Sequence, residues 1–191
     1  MRVTCVRHGE TERNRQGVFS GAGTEGISEP QRQALLGLGF DASPYDAFFC
    51  SPAVRCRETA EALGIRDTVI DPRLAEREFG VFEGLTVDEC RIRHPSSFEA
   101  FRRLDGEFVI PGGESRDQHL ERVLAWLEDA VRHQNVLAIT HGGTIDFLYR
   151  LGAGEPMHGG PTVFAGPNAA WSTFEVDGPR VSVIEHGVQL L

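Results

Sequence analysis

The stretch Val136-Leu137-Ala138-Ile139-Thr140-His141-Gly142-Gly143 is an apolar run that ends in a histidine and two glycines. A short apolar run bounded by turn residues predicts a buried strand. Residues 3–6 and 47–50 show the same pattern, and polar residues follow each of them directly. Residues 68–70 are a further strand candidate. We therefore expect several short buried strands that lie far apart in the sequence.

Helical segments separate these strands. Residues 114–132 carry apolar side chains at 3.6-residue spacing, which predicts an amphipathic helix. A helix is also expected to begin at Ser28 as N-cap, with Gln31 completing part of a capping box. Ser51 followed by Pro52 predicts another N-cap with proline at the first helical position.

The alternation of strands and helices predicts the fold class. Its crossovers are longer than ten residues, so an α/β sheet with mostly parallel strands is expected. Residues 144–151 form a short predicted helix after the apolar run. Residues 172–176 and 180–184 flank the turn sequence Asp177-Gly178-Pro179 and predict a terminal hairpin.

The composition narrows the class of protein. The chain has 191 residues, 40% of them hydrophobic and 25% charged, which is typical of one soluble globular domain spanning residues 1–191. Its net charge of −9 argues against a nucleic-acid or membrane partner. Lysine is absent, so a lysine-containing phosphate loop and a pyridoxal-phosphate Schiff base are excluded.

The sequence also carries few signs of targeting or metal binding. Four cysteines, at positions 5, 50, 56 and 90, include no C-x-x-C pair. No window approaches the ~20 apolar residues of a membrane helix, and the N-terminal apolar run is interrupted by Arg7 and His8. We therefore expect a cytoplasmic protein without a bound metal.

Ligands of open α/β sheets bind outside the carboxyl ends of the strands. Arg7-His8-Gly9, Ser51 to Arg55 and His141-Gly142-Gly143 all follow strands in this way. Two guanidinium groups and two imidazoles would thus meet at one edge, where glycines such as Gly142 let backbone amides approach a ligand. Forked guanidinium donors suit phosphate oxygens, so the pattern predicts a phosphate site.

Arg7-His8-Gly9-Glu10-Thr11 resembles the nucleophile motif of the histidine phosphatase superfamily, the phosphoglycerate-mutase-like proteins. The resemblance extends over nearly the whole chain. Four further segments follow in the family's order: Ser51-Pro52-Ala53-Val54-Arg55-Cys56-Arg57-Glu58-Thr59-Ala60, Leu74-Ala75-Glu76-Arg77-Glu78-Phe79-Gly80-Val81-Phe82-Glu83-Gly84, Pro111-Gly112-Gly113-Glu114-Ser115 and Thr140-His141-Gly142-Gly143.

The resemblance implies a fold and a set of roles. The fold is a three-layer α/β/α sandwich with a mostly parallel central sheet and a small helical cap insertion, placed here at residues 85–110. His8 is the nucleophile and forms a phosphohistidine, and Glu76 donates a proton to the leaving oxygen. The phosphoryl group is bound by Arg7, Asn14, Arg55 and His141, with Gly142 beside them. Ser20 and Gly21 are candidate substrate contacts.

Several residues have a second interpretation. Glu78 and Glu83 compete with Glu76 for the acid role. Arg55 could be an exposed helical residue paired with Glu58. The Arg102-Arg103 pair could contact a carboxylated substrate, although a solvated helix face is the simpler interpretation. The other histidines, at positions 94, 119, 133, 158 and 186, show no partner pattern and are interpreted as structural or surface residues.

The leading functional hypothesis is a metal-independent phosphatase that needs no cofactor and acts on a small phosphorylated metabolite. The first alternative is a cofactor-dependent phosphoglycerate mutase. The second is a non-catalytic protein that binds a phosphorylated ligand. A cysteine-dependent tyrosine phosphatase is excluded, because none of the four cysteines has an arginine after five intervening residues.

Overall fold

The computed structural model describes residues 1–21, 23–103, 105–157 and 165–191. Within these residues the chain forms six strands and seven α-helices. The strands are β1 (Arg2–Arg7), β2 (Ala47–Cys50), β3 (Val69–Ile70), β4 (Asn135–Thr140), β5 (Ala170–Asp177) and β6 (Arg180–Gln189). The helices are α1 (Glu12–Gln16), α2 (Glu29–Leu36), α3 (Val54–Ala62), α4 (Val87–Arg93), α5 (Pro95–Arg102), α6 (Arg116–Ala130) and α7 (Gly142–Ala153).

All six strands belong to one sheet, in the order β3-β2-β4-β1-β5-β6. The β3–β2, β2–β4 and β4–β1 pairs are parallel, whereas β5 runs antiparallel to β1 and to β6. The mostly parallel sheet and the terminal hairpin are thus confirmed. The parallel order brings the carboxyl ends of β1, β2 and β4 to one edge.

The two faces of the sheet are covered by different helices, because successive residues of a strand point to opposite sides. Val3 and Cys5 of β1 belong to a core cluster with side chains of α6 and α7, including Trp126. Val6, the next residue on the other face, belongs to a cluster with side chains of α2 and α3, including Leu35. The fold is therefore the expected three-layer α/β/α sandwich.

Within the expected insertion at residues 85–110, Val87–Arg93 and Pro95–Arg102 are helical and form α4 and α5, whereas residues 105–110 are not helical. The two helices enclose a third apolar cluster, in which Phe82, Cys90, Phe98 and Ile110 are buried. Phe19 and Phe79 pack against this cluster from the side of the sheet's carboxyl edge. The helical insertion therefore has a small core of its own next to that edge.

Two details of the predicted helix starts are wrong. The helix after β2 begins at Val54 with Ala53 as N-cap, and not at Ser51 and Pro52. The Ser51 hydroxyl instead lies 2.8 Å from His141 Nε2. Ser28 is the N-cap of α2, but its side chain makes no capping hydrogen bond. The Gln31 side-chain oxygen accepts from the Glu10 amide at 3.3 Å, so the expected capping box is not formed.

Backbone contacts hold the segment around Glu76 at the carboxyl edge. The Thr140 hydroxyl, at the end of β4, donates to the Leu74 carbonyl at 2.9 Å. Gly80 has a φ of +49°, and a Cβ there would lie 2.2 Å from the Pro111 carbonyl oxygen. A side chain at position 80 would therefore push the segment around Gly80 away from the segment around Pro111.

Trp126 anchors the core between α6 and the sheet. It is fully buried and packs edge-to-face on Phe49 of β2, with ring centroids 5.8 Å apart. Trp126→Ala should lower the free energy of unfolding by ~3–5 kcal/mol, because the lost ring leaves a cavity. Urea titration measures the loss. The control Ile92→Ala removes a side chain that is 78% exposed and should change stability by less than about 0.5 kcal/mol.

Candidate active site

Arg55 lies at the centre of the carboxyl edge. It is 1% exposed, and its guanidinium contacts both histidines that follow strands. Its Nε donates to His8 Nε2 at 3.2 Å, and its Nη2 donates to His141 Nδ1 at 3.1 Å. The rings of His8 and His141 meet edge-on, with centroids 5.1 Å apart. The structure therefore joins the three residues in one hydrogen-bonded cluster.

The partners of His8 define its tautomer. Nδ1 lies 2.8 Å from the Gly9 carbonyl oxygen, which can only accept. In a neutral ring Nδ1 therefore carries the proton, and Nε2 has a free lone pair that accepts from Arg55. This atom is the nucleophilic nitrogen of a neutral imidazole, and it faces the guanidinium.

His141 has the opposite tautomer. Its Nδ1 accepts from Arg55, so Nε2 of the neutral ring carries the proton and donates to the Ser51 hydroxyl at 2.8 Å. The Cys56 sulfur lies 3.4 Å from the same Nε2. Ser51 thus orients the imidazole, a role that its position before a proline concealed in the sequence.

Both imidazoles are neutral at neutral pH. Burial lowers the pKa of His8 and the pKa of His141 well below the usual histidine value, and the Arg55 charge lowers both further. A neutral ring at His8 keeps its lone pair even in mildly acidic solution. The cluster thus holds its cationic charge on arginine rather than on histidine.

Arg7 extends the cluster on the other side of His8. Its Nη1 donates to the Gly166 carbonyl at 2.5 Å, while its Nε is buried without a hydrogen-bond partner among the described residues. A Cβ on Gly142 would lie 3.5 Å from the Arg7 Cζ and 2.8 Å from the Ala165 Cβ. Glycine at position 142 therefore allows the α7 N-terminus to approach the guanidinium closely.

Three buried donors at this edge have no partner in the part of the chain that the structure describes. They are Arg7 Nε, Arg55 Nη1 and the Ser20 hydroxyl. Buried polar groups are normally hydrogen-bonded, because an unpaired one costs about 1–3 kcal/mol. An anion with several oxygens, such as a phosphoryl group, would supply the missing acceptors.

Asn14 is linked to His8 through a residue that the sequence did not suggest. Its side-chain oxygen accepts from the Thr11 amide at 3.1 Å and from Asn168 Nδ2 at 3.2 Å. The same Asn168 nitrogen donates to the His8 carbonyl at 3.0 Å. With the oxygen occupied, the amide nitrogen of Asn14 is the end that can donate to a ligand.

Ser20 and Gly21 contact the cluster through their carbonyl groups. Arg55 Nη2 donates to the Ser20 oxygen at 3.2 Å and to the Gly21 oxygen at 2.7 Å. The Gly21 amide donates to the Glu83 carboxylate at 3.0 Å. The loop therefore lies directly over the guanidinium, and Glu83 holds it there.

The three candidate acids have different surroundings. Glu76 lines the pocket at the carboxyl edge, and its carboxylate accepts from the Arg77 amide at 2.9 Å and the Gly143 amide at 3.3 Å. Glu83 is occupied by the loop amide of Gly21, and Glu78 is exposed. Of these three carboxylates, Glu76 is the one that lines the pocket.

The pocket beside the cluster has a volume of about 360 Å³. Its walls combine aromatic rings with charged and polar groups. The rings are Phe19, Phe79, Phe101 and Phe147, and the polar groups include Arg7, Glu76, Arg77, Arg116 and His119. His119, for which the sequence predicts a structural or surface position, is buried and lines this pocket. The signal was its position four residues before Val123, on the apolar face of α6.

The structure also places residues for which the sequence allowed two interpretations. Arg55 does not pair with Glu58, because Glu58 accepts instead from Arg32 at 2.8 Å. Arg102 and Arg103 are exposed, as expected of a solvated helix face. His158 lies outside the described residues. The four cysteines are buried free thiols.

The described ranges contain neither a metal-binding cluster nor a membrane-spanning helix. No three His, Cys, Asp or Glu side chains there are grouped closely enough to hold a metal ion. No helix in that part of the chain is both long and apolar enough to cross a membrane.

Comparison with known proteins identifies the family. The model of the histidine phosphatase superfamily (branch 1) matches residues 3–189, so the chain belongs to this superfamily. The solved structure of YhfR from Bacillus stearothermophilus has the same fold, with a TM-score of 0.82 and 29% identity over 98% of this chain and 96% of that one.

Two of the relatives are named for different activities. The adenosylcobalamin/alpha-ribazole phosphatase of Escherichia coli (strain K12) is 27% identical, over 93% of this chain and 91% of the relative. A 2,3-bisphosphoglycerate-dependent phosphoglycerate mutase of Azorhizobium caulinodans is 29% identical, over 76% and 78%. The chain also matches a bifunctional protein of Mycobacterium tuberculosis at 36% identity, but spans only 43% of that protein's length.

The buried neutral imidazoles of His8, His119 and His141 make stability depend on pH. Each has a folded-state pKa below its unfolded value, so below about pH 6.5 the unfolded chain binds protons that the folded chain does not. The free energy of unfolding should therefore fall as pH decreases from 7 to 5.5. The slope approaches about 1.4 kcal/mol per pH unit for each such imidazole.

Urea denaturation at several pH values measures this slope. His8→Gln removes one of the three imidazoles and should make the slope shallower, whereas His133→Gln serves as the matched control. A free energy of unfolding that stays constant between pH 7 and 5.5 would show that the histidines protonate in the folded protein.

Proposed function

We propose that the protein is a metal-independent phosphatase that hydrolyses a small phosphomonoester through a phosphohistidine on His8. The observation that supports it most strongly is the hydrogen bond from Arg55 to the lone pair of His8 Nε2. It places a nucleophilic nitrogen beside a buried cation that has unpaired donors for phosphoryl oxygens.

Substrate binding releases the nucleophile. Oxygens of the phosphoryl group accept the N–H donors of Arg55 and Arg7, which frees the His8 Nε2 lone pair. That lone pair attacks phosphorus and forms a P–N bond while the P–O bond to the leaving group breaks. Glu76 donates a proton to the leaving oxygen, and the alcohol departs.

The second step returns the enzyme to its starting state. Water attacks the phosphohistidine, the P–N bond breaks, and the electron pair returns to His8 Nε2. The Glu76 carboxylate, produced in the first step, takes a proton from the water. Inorganic phosphate is released, and both residues regain their original protonation.

The remaining cluster residues stabilise the charge on the transferring group. We expect the arginine donors, His141, the Asn14 amide and the backbone at Gly142 to contact the transferring group. Preorganised donors in a site with little water contribute most where negative charge develops. His141 can donate to a phosphoryl oxygen only when its Nδ1 carries a proton. Binding of that oxygen in place of Arg55 therefore requires the ring proton to move from Nε2 to Nδ1. No step requires a metal ion.

The pocket beside the cluster is the proposed binding site of the leaving group. We propose that residues 85–110 act as a cap, because Phe101 of α5 lies against Phe19 and Phe79 on the pocket wall. This wall fits the organic part of a small phosphorylated metabolite. A cytoplasmic location and the absence of nucleic-acid or membrane partners stay predictions, which the net charge of −9 supports.

One observation favours the phosphoglycerate mutase alternative. Arg77 lines the pocket and is buried, yet its guanidinium forms no ion pair with a carboxylate of the described residues. Burial and, next, the Arg116 charge lower the pKa of Arg77 to about 10. A substrate carboxylate would compensate this guanidinium. Phosphorus NMR of a reaction with 3-phosphoglycerate separates the two activities, since a phosphatase releases inorganic phosphate and a mutase forms 2-phosphoglycerate.

His8→Ala should abolish hydrolysis of p-nitrophenyl phosphate, by at least about 10³-fold, because no other described residue occupies the nucleophile position. Release of p-nitrophenol in buffer containing EDTA measures it, and the wild type should remain active there. His133→Ala is the matched control. Substantial turnover by His8→Ala would rule out the mechanism, and loss of wild-type activity in EDTA would reveal a metal requirement.

Glu76→Gln should slow hydrolysis of alkyl phosphates far more than hydrolysis of p-nitrophenyl phosphate. An alkoxide needs a proton in order to leave, whereas p-nitrophenolate hardly does. The expected difference between the two substrates is about 10²-fold or more in kcat/KM. Glu78→Gln is the control, since its side chain is exposed two residues away. If Glu78→Gln shows this dependence on the leaving group and Glu76→Gln does not, Glu78 is the acid.

A further inference from the structure

His119 is a buried imidazole for which the proposed mechanism has no use. It lies on α6, is 1% exposed, and lines the pocket that contains Glu76. Its Nε2 is buried and has no hydrogen-bond partner among the described residues. A buried ring nitrogen without a partner is costly, so a partner supplied by a ligand would be strongly favoured.

The ring lies next to the proposed acid. A Cβ on Gly143 would lie 2.4 Å from Glu76 Oε1 and 2.7 Å from His119 Cε1, so the two side chains are neighbours across this glycine. The ring of Phe147 holds the imidazole edge-on, with centroids 4.9 Å apart. The position of His119 is therefore set by packing, on the side of the pocket where the leaving oxygen receives its proton.

The surroundings keep this ring neutral. Burial lowers the pKa of His119 well below the usual histidine value, and the charges of Arg122, Arg77 and Arg116 lower it further. Of these, Arg116 is paired with Asp146 at 2.8 Å and Arg122 with Glu114 at 2.6 Å. A neutral Nε2 either donates or accepts one hydrogen bond, according to the tautomer. A hydroxyl group can complement both forms.

We propose that His119 binds a hydroxyl group of the leaving alcohol and makes the enzyme selective for phosphomonoesters of hydroxylated compounds. The assignment rests on the proposed function of the neighbouring cluster. A site built to hydrogen-bond a hydroxyl discriminates strongly against a ligand that lacks it, because the buried polar atom is then left unpaired. The pocket thus distinguishes a polyol phosphate from a plain alkyl phosphate of equal size.

Phosphonates test this selectivity without turnover, because their P–C bond is not hydrolysed. Calorimetry compares ω-hydroxyalkyl phosphonates of two to four carbons with alkyl phosphonates in which a methyl replaces the hydroxyl. In the wild type, at least one hydroxylated member should bind about tenfold more tightly than its methyl partner. His119→Phe should reduce this ratio to about twofold or less, whereas His119→Gln, which keeps a polar amide, should retain part of it.

The ratio of the two affinities reports on the hydrogen bond to His119 alone, since both ligands of a pair share the phosphonate and the chain length. If His119 had only a structural role, His119→Phe would weaken the binding of both ligands equally and leave the ratio of their affinities unchanged. His133→Phe is the matched control and should keep the wild-type ratio. If His119→Phe does not fold, His119→Val provides the same comparison with a smaller side chain.

Failure of this assignment and failure of the phosphatase proposal are distinguishable. Equal affinity for both members of every pair in the wild type would overturn the hydroxyl site, as would an unchanged ratio in His119→Phe. Absence of p-nitrophenyl phosphate hydrolysis would overturn the phosphatase and leave the binding ratio as an independent result.

Discussion

The carboxyl edge of the sheet depends on one constraint, which is the burial of the Arg55 guanidinium without a carboxylate partner among the described residues. Removing a cation from water is expensive unless its donors are satisfied. Here the acceptors are two imidazole nitrogens and two loop carbonyls. The cation therefore requires both rings to stay neutral, and it requires the loop at Ser20 and Gly21 to fold over it. Glu83 meets the second requirement by accepting from the Gly21 amide.

The proposed function also requires this edge to attract an anion. The whole chain carries a net charge of −9, but distant charges are screened over about 8–10 Å at physiological salt. Unpaired donors on Arg7 and Arg55 act at hydrogen-bond distance, where a charge pair contributes several kcal/mol. The local cations thus outweigh the global charge. In the proposed reaction they have the role that magnesium ions have in other phosphoryl-transfer enzymes.

Particular residues show how far the sequence alone could predict this arrangement. The apolar runs at residues 3–6 and 136–140 were sufficient to place Arg7, His8 and His141 at one edge, because a parallel order leaves little freedom in their placement. Local rules misplaced Ser51, since a serine before a proline resembles an N-cap, whereas its partner His141 lies 90 residues away. His119 was missed for a similar reason. The pocket position of its unpaired nitrogen is set by Glu76 and Phe147, which lie far from His119 in the sequence.

Detection of the covalent intermediate tests the central claim most directly. Wild-type protein is mixed with a phosphomonoester, quenched with denaturant within milliseconds, kept at alkaline pH and digested for mass spectrometry. We expect one phosphoryl group on the peptide that contains His8, on its imidazole, and none when His8 is replaced by alanine. A phosphoryl group on a different residue, or turnover with an unmodified His8 at every quench time, would contradict a nucleophile held by Arg55.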